Sequence, residues 1–213
     1  MRYTAVHLMS LLNEVGEADT KAVLSGFVCP LAPDVEIFIQ RKAIDFARHG
    51  WAQTHLIFAP DNGGHVLVGY FTLASKIITV PVKNITKNTK KRIAAFSTYD
   101  SAIDAFYLSA PLIAQLGKNY YAGYNKLISG SDLLKIACDK VSKIQLDLGG
   151  RFAYVECEDK PALVGFYKNH GFYEFDRRYL DADETDLISG KYLVQLLRHF
   201  KPMWSESGSG SSG

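Results

Sequence analysis

The chain has 213 residues, 47% of them apolar and 12% aromatic, enough to bury a sizeable core and too many for a disordered segment. Its 24 basic and 22 acidic side chains leave a net charge of +2, which argues against nucleic acid or a membrane surface as a partner. Three scattered cysteines, Cys29, Cys138 and Cys157, without a C-x-x-C pair, point to a reducing cytoplasmic setting and away from a disulfide framework or a metal site. Arg2 precedes an apolar stretch broken by His7, Ser10, Asn13 and Glu14, so no signal peptide is read, and no run approaches the roughly 20 apolar residues of a membrane helix. The expected organisation is one domain over residues 1–200, its first 33 residues helical, with a flexible tail at 201–213 that ends in the low-complexity run SESGSGSSG.

In chain order, Leu8, Leu11, Leu12 and Val15 make a short helical stripe ending near Gly16, and a second follows through Val23, Leu24 and Phe27. Asp34 is placed to cap a stronger helix whose face is Val35, Phe38, Ile39, Ala43, Phe46 and Ala47, stopped by Gly50. Thr54–Ala59 and His65–Ala74 flank PDNGG, a strong hairpin signal, and Ile77–Val82 reads as a third strand. The run KNITKNTKKR carries five basic residues in ten positions and reads as a solvated loop and first helical turn, in preference to a patch for an anionic partner. AFYLSAPLIAQLG is extended, with pairing expected to break at Pro111. After a tyrosine-rich loop, Leu133, Leu134, Ala137, Val141, Ile144 and Leu148 define a long amphipathic helix that stops at Gly149-Gly150.

The most informative stretch is YVECEDKPALVGFYKNHGF, Tyr154–Phe172. Val155 and Cys157 alternate with Tyr154 and Glu156, the period of a strand. Asp159 is placed to cap the following helix, and Pro161 falls in its first turn, where a missing N–H is harmless. Leu163, Phe166 and Tyr167 share a face, Gly171 ends the helix in a left-handed turn, and Phe172 opens a strand that runs to Tyr179. After an acidic loop, Tyr192–Arg198 is a last strand. Helices, then antiparallel strands, then strand–helix–strand units give a mixed α/β (α+β) class.

The run FYKNHGF resembles the last motif of the GCN5-related N-acetyltransferases (GNAT), in which a helix carries a tyrosine four residues before Gly-Phe. The element order is similar to that superfamily from about Asp34 to Arg198. LIAQLGKNY, ISGSDLLKIACDK and the Tyr154–Phe172 stretch together look like bacterial and phage members of unassigned substrate. The resemblance implies a mostly antiparallel sheet whose central strands splay, acetyl-CoA as cosubstrate, and N-acetyl transfer to a primary amine on a small molecule or peptide. It also allows a homodimer.

Residue by residue, the resemblance puts Tyr167 beside the thioester sulfur as the acid that protonates the leaving thiolate, a phenol of pKa near 10 serving a thiol of roughly 8.5. The superfamily often has an asparagine seven positions earlier, where this chain has Lys160. The pyrophosphate loop (Arg/Gln)-x-x-Gly-x-(Gly/Ala) falls on Asn125, Ile128 and Gly130, a poor match that still places Gly130 between Ser129 and Ser131 at a helix start, with Lys118 and Lys126 nearby. Main-chain groups of Ala114, Gln115, Leu116 and Gly117 would hold the acyl carbonyl. Glu156 is the preferred base or water-holder for the amine, ahead of Glu158, because strand carboxylates are rarely buried without a role. Two other readings share these residues: a non-catalytic acyl-CoA binder, and a toxin–antitoxin acetyltransferase acting on aminoacyl-tRNA.

Overall fold

The structure, a computed structural model, describes residues 3–182, 185 and 190–201. Asp183, Glu184 and Asp186 of the acidic loop and all but Lys201 of the C-terminal tail lie outside the described residues. Backbone contacts divide the chain into two compact units, and β3, β5 and α5 run from one into the other.

The first unit contains residues 1–75, 112–138 and 180–191. It opens with a strand, β1 (Thr4–His7), paired antiparallel with β2 (Gln53–Asp61), so the N-terminal part is not purely helical as expected. Only four residues long, β1 carries too little alternation to be read without its partner. Helix α1 (Leu8–Ser25) is two helical pieces joined at Gly16, whose φ of 83° and ψ of 171° only glycine adopts comfortably. The next helix starts two residues earlier than predicted. Pro33 occupies its first turn and Ala32 precedes it without a side-chain cap, so Asp34 lies inside α2 (Pro33–Ile37). A π turn over Phe38–Lys42 then leads to α3 (Ala43–Arg48). The hairpin is as the sequence indicates: β2 and β3 (Gly64–Pro81) are joined through Asn62 and Gly63, both with positive φ, as a type I′ turn requires. The segments predicted as second and third strands are one continuous β3.

Leu8, Leu24, Phe27, Val35, Ile39, Leu56 and Tyr70 form the core of this unit, and the buried Tyr70 hydroxyl donates to Val35 O at 2.6 Å. The end of β5 (Ala105–Lys118) is packed tightly here. A Cβ on Gly69 would sit 2.9 Å from the Gly117 carbonyl, and one on Gly117 only 2.4 Å from Val35 Cγ1. Next along the chain, Asn119 is 2% exposed and fully engaged. Its Oδ1 accepts from the N–H groups of Val28 and Tyr121, each at 3.0 Å, and its Nδ2 donates to Leu67 O at 2.9 Å and Gly26 O at 3.4 Å.

The second unit holds residues 76–111, 139–179 and 192–213. It includes α4 (Lys87–Ala94), β4 (Ser97–Asp100), β6 (Phe152–Glu158), α6 (Pro161–Asn169), β7 (Tyr173–Tyr179) and β8 (Tyr192–His199). The sheet order is β1-β2-β3-β5-β6-β8-β7, with β4 on β5. The pairings β1–β2, β2–β3, β4–β5, β6–β8 and β7–β8 are antiparallel. Strand β5 runs unbroken through Pro111, and its pairing with β4 ends before it, at Leu108. Helix α5 (Gly130–Leu148) buries Leu133, Leu134, Ala137 and Val141, but its predicted stripe does not continue to the end: Leu148 is 80% exposed.

Asn119→Ala removes an acceptor and a donor that four buried or half-buried main-chain groups share. It should cost about 2–4 kcal/mol, seen as a lower urea midpoint, whereas the neighbouring Lys118→Ala should cost less than about 1 kcal/mol.

Candidate active site

In the first unit, Ser129 starts α5. Its Oγ accepts from Asp132 N at 3.0 Å and donates to Asp132 Oδ2 at 2.6 Å. Leu133 N makes the first i→i−4 bond, to Ser129 O at 3.1 Å. The main-chain N–H groups of Gly130 and Ser131 therefore precede the helical ladder and lie at its partly positive end. Asp132 is turned into the cap, the orientation that lessens its repulsion of an anion. Ile128 is buried at 2% exposure and anchors the loop by packing. Lys118 Nζ donates to Asn125 O at 3.2 Å and thereby braces the loop, while Lys126 is exposed. Ala114, Gln115 and Leu116 are half-buried on β5, and Gly117 is the close-packing position described above.

In the second unit, Tyr167 is 8% exposed on α6, with its ring edge-on to Phe166 and Phe172 at centroid distances of 5.2 and 5.7 Å. Gly171, at φ 81°, ends the helix, and Phe172 N donates back to Tyr167 O at 3.1 Å. Lys160, not Asp159, is the N-cap residue and contributes no side-chain cap. Pro161 sets the helix start, and the Asp159 carboxylate is drawn away by the Tyr192 hydroxyl at 2.9 Å and Arg177 at 3.5 Å. Lys160 Nζ pairs with Glu158 at 2.8 Å.

Glu156 sits in a polar network that single-strand periodicity could not reveal. Its Oε1 accepts from the Tyr154 hydroxyl and, at 3.0 Å, from Gln195 Nε2. Its Oε2 takes Arg178 Nε and Nη2, each at 2.7 Å. Gln195 also donates to the Tyr154 oxygen at 2.8 Å. Tyr154 and Glu156 project to one face of β6, and Gln195 lies opposite Glu156 on β8. Burial, then the charge of Glu156, push the Tyr154 phenol well above its usual range, so it stays a donor to the carboxylate. Burial, with Asp159, Glu174 and Glu158 adding, pushes the Cys157 thiol up to about 12, which removes it as a nucleophile at neutral pH.

Glu156 and Arg178 should therefore couple. A double-mutant cycle with Glu156→Gln and Arg178→Gln should give an interaction of about 1–3 kcal/mol, and additive losses would mean the pair is only a contact. Cys157 should resist iodoacetamide at pH 7.5 in the folded protein and react only on unfolding, as mass spectrometry of the labelled chain would show.

No family model matches the sequence, and no curated protein does. Solved structures do match by fold. The complex of AtaT with acetyl-methionyl-tRNAfMet superposes with a TM-score of 0.60 at 16% identity, covering 96% of this chain and 97% of that one. A crystal structure of a bacterial toxin gives 0.62 at 13% identity, with 100% and 98% covered. A tyrosine-to-phenylalanine mutant of KacT gives 0.58 at 15%, with 91% and 94% covered. The same fold occurs in AtaTR bound with acetyl-CoA and in a KacTA–DNA complex, with TM-scores of 0.55 and 0.52.

These likenesses correct the expectation drawn from net charge, that nucleic acid is no partner. Proteins of this fold are found on tRNA and in a complex with DNA. A sum of +2 averages over the whole surface and is blind to where the charges lie. The present chain has the fold of AtaT and KacT over nearly its whole length.

Proposed function

We propose that this protein transfers an acetyl group from acetyl-CoA to a primary amine. The observation that carries the reading is the coincidence of the full-length fold likeness with a buried tyrosine, Tyr167, four residues before the Gly171-Phe172 turn. A bound acetyl-CoA supplies the activated thioester. Gly130 and Ser131 N–H groups, with Lys126, would receive its pyrophosphate, and the absence of bulky side chains at Ser129, Gly130 and Ser131 fits such a cradle. Main-chain groups at Ala114–Leu116 would orient the acyl carbonyl. Tyr167 would return a proton to the departing sulfur. Glu156, both of whose oxygens are already engaged, is better suited to fixing a water for the incoming amine than to acting as a mobile base. Three free cysteines suit a reducing cytoplasm.

A second reading, an aminoacyl-tRNA as the amine carrier, is favoured by one likeness, the AtaT complex with acetyl-methionyl-tRNAfMet.

Release of free thiol from acetyl-CoA in the presence of an amine panel should be slowed about tenfold or more by Tyr167→Phe. The melting temperature should rise with millimolar acetyl-CoA in both proteins, because the substitution removes a proton donor and not the binding surface. Equal turnover by the two would remove Tyr167 from the reaction.

A further inference from the structure

Helix α4 begins against its own electrostatics. Its first turn contains no acidic residue, Lys87 is its first residue, and Lys90 and Lys91 lie three and four positions on, along the same face. The helix N-terminus already carries partial positive charge, so Lys83 before it and Lys87 at its first position add like to like, whereas Lys91 and Arg92 lie in its last turn. Thr86 caps the helix, its Oγ1 accepting from Thr89 N at 3.2 Å, and the buried Ile93 pins the opposite side. Lys83, Lys87, Lys90, Lys91 and Arg92 are all exposed.

The same unit pairs the cations around α6 and β7 with carboxylates. Lys160 pairs with Glu158 at 2.8 Å, Lys168 with Glu174 at 3.0 Å, Arg177 with Glu174 at 3.4 Å and Arg178 with Glu156 at 2.7 Å. Among the described residues, none of the five on and before α4 has an ion pair. Lys90 instead lies 5.8 Å from the centre of the Tyr99 ring.

Two residues beyond α4, Phe96 borders a cleft of about 280 Å³ that also involves Gln145, Gly149, Gly150, Arg151 and Phe200. Among the described residues no carboxylate lines it, and Lys201 does. Phe200 N donates to Arg151 O at 2.7 Å, and the Arg198 guanidinium lies 5.1 Å from the Phe200 ring centre. Burial, then Arg92 and Arg151, depress the His199 pKa, a sign that positive charge from α4 and from the cleft converges there.

We infer that α4 and the Phe96–Phe200 cleft form the docking surface for the single-stranded end of an RNA, with the exposed cations on phosphates and a base against the aromatic rings. Unpaired cations beside accessible aromatic faces suit single strands, since a duplex offers no free base and an acidic peptide no base to stack. The inference rests on the second reading above, in which the acceptor amine is carried by RNA.

The test uses the full chain and fluorescence anisotropy with four probes: deacylated tRNA, the same RNA without its 3′ single strand, duplex DNA and polyglutamate. Replacing Lys87, Lys90, Lys91 and Arg92 with Gln should weaken tRNA binding at least about tenfold and flatten its salt dependence between about 50 and 200 mM by roughly three phosphate contacts. Phe96→Leu, which keeps an apolar side chain beside Phe152, should weaken binding several-fold for tRNA but not for the trimmed RNA. Lys21→Gln, a cation paired with Glu17, serves as the control and should change nothing. The two single variants Lys87→Gln and Lys91→Gln carry the test if the fourfold variant misfolds. Unchanged affinity and salt slope, no binding of tRNA by the unsubstituted chain, or equal binding of duplex DNA or polyglutamate would overturn the inference. The acetyl-CoA melting shift is read on the same variants and should persist. Its absence in the unsubstituted chain would count against the acetyltransferase reading, while the RNA measurement would still decide the docking surface.

Discussion

The first unit depends on a clamp between the end of β5 and the N-terminal helices. Gly117 lets the strand pass where any side chain would run into Val35, and Asn119 then ties Gly26, Val28, Leu67 and Tyr121 with one amide. Buried main-chain groups left without partners are expensive, so one side chain that satisfies four of them fixes the strand end against the helices more firmly than apolar contact alone. Ala114–Leu116, the stretch proposed to orient an acyl carbonyl, lies immediately before this clamp. A rigid strand end is what preorganised main-chain donors require.

The second unit uses a different device. Between Glu174 and Asp176 the β7–β8 register slips, leaving Phe175 without a partner across the pair. A one-residue slip exchanges the faces of a strand. It brings Arg178 rather than Arg177 onto the face shared by Gln195 and Glu156, where it meets the carboxylate at 2.7 Å. Arg177 instead goes to Asp159, Glu174 and Tyr192 near the surface. The result is a largely buried acid whose charge is balanced and whose orientation is set by three side chains.

Charge is distributed just as unevenly. Acidic residues pair with Lys160, with Lys168 of α6 and with Arg177 and Arg178 of β7, while α4 carries its lysines unopposed, so a nearly neutral chain still presents a concentrated positive surface. Net charge governs solubility and long-range steering, whereas a polyanion responds to local density.

The sequence alone determined the elements that rest on local chemistry. The Asn62-Gly63 hairpin, the break at Gly16, the stop at Gly171 and the Tyr167-to-Phe172 motif each follow from backbone preferences or spacing within a few residues. The helix starts at Pro33 and Pro161 were displaced from the predicted caps because proline geometry and distant partners for Asp159 outweighed a capping bond. Only the tertiary structure decided the rest. The pairing of β1, the packing role of Gly117, the reach of Asn119 across 52 to 93 positions and the choice of Arg178 over Arg177 depend on residues far apart in the chain, and local periodicity carries no information about such neighbours.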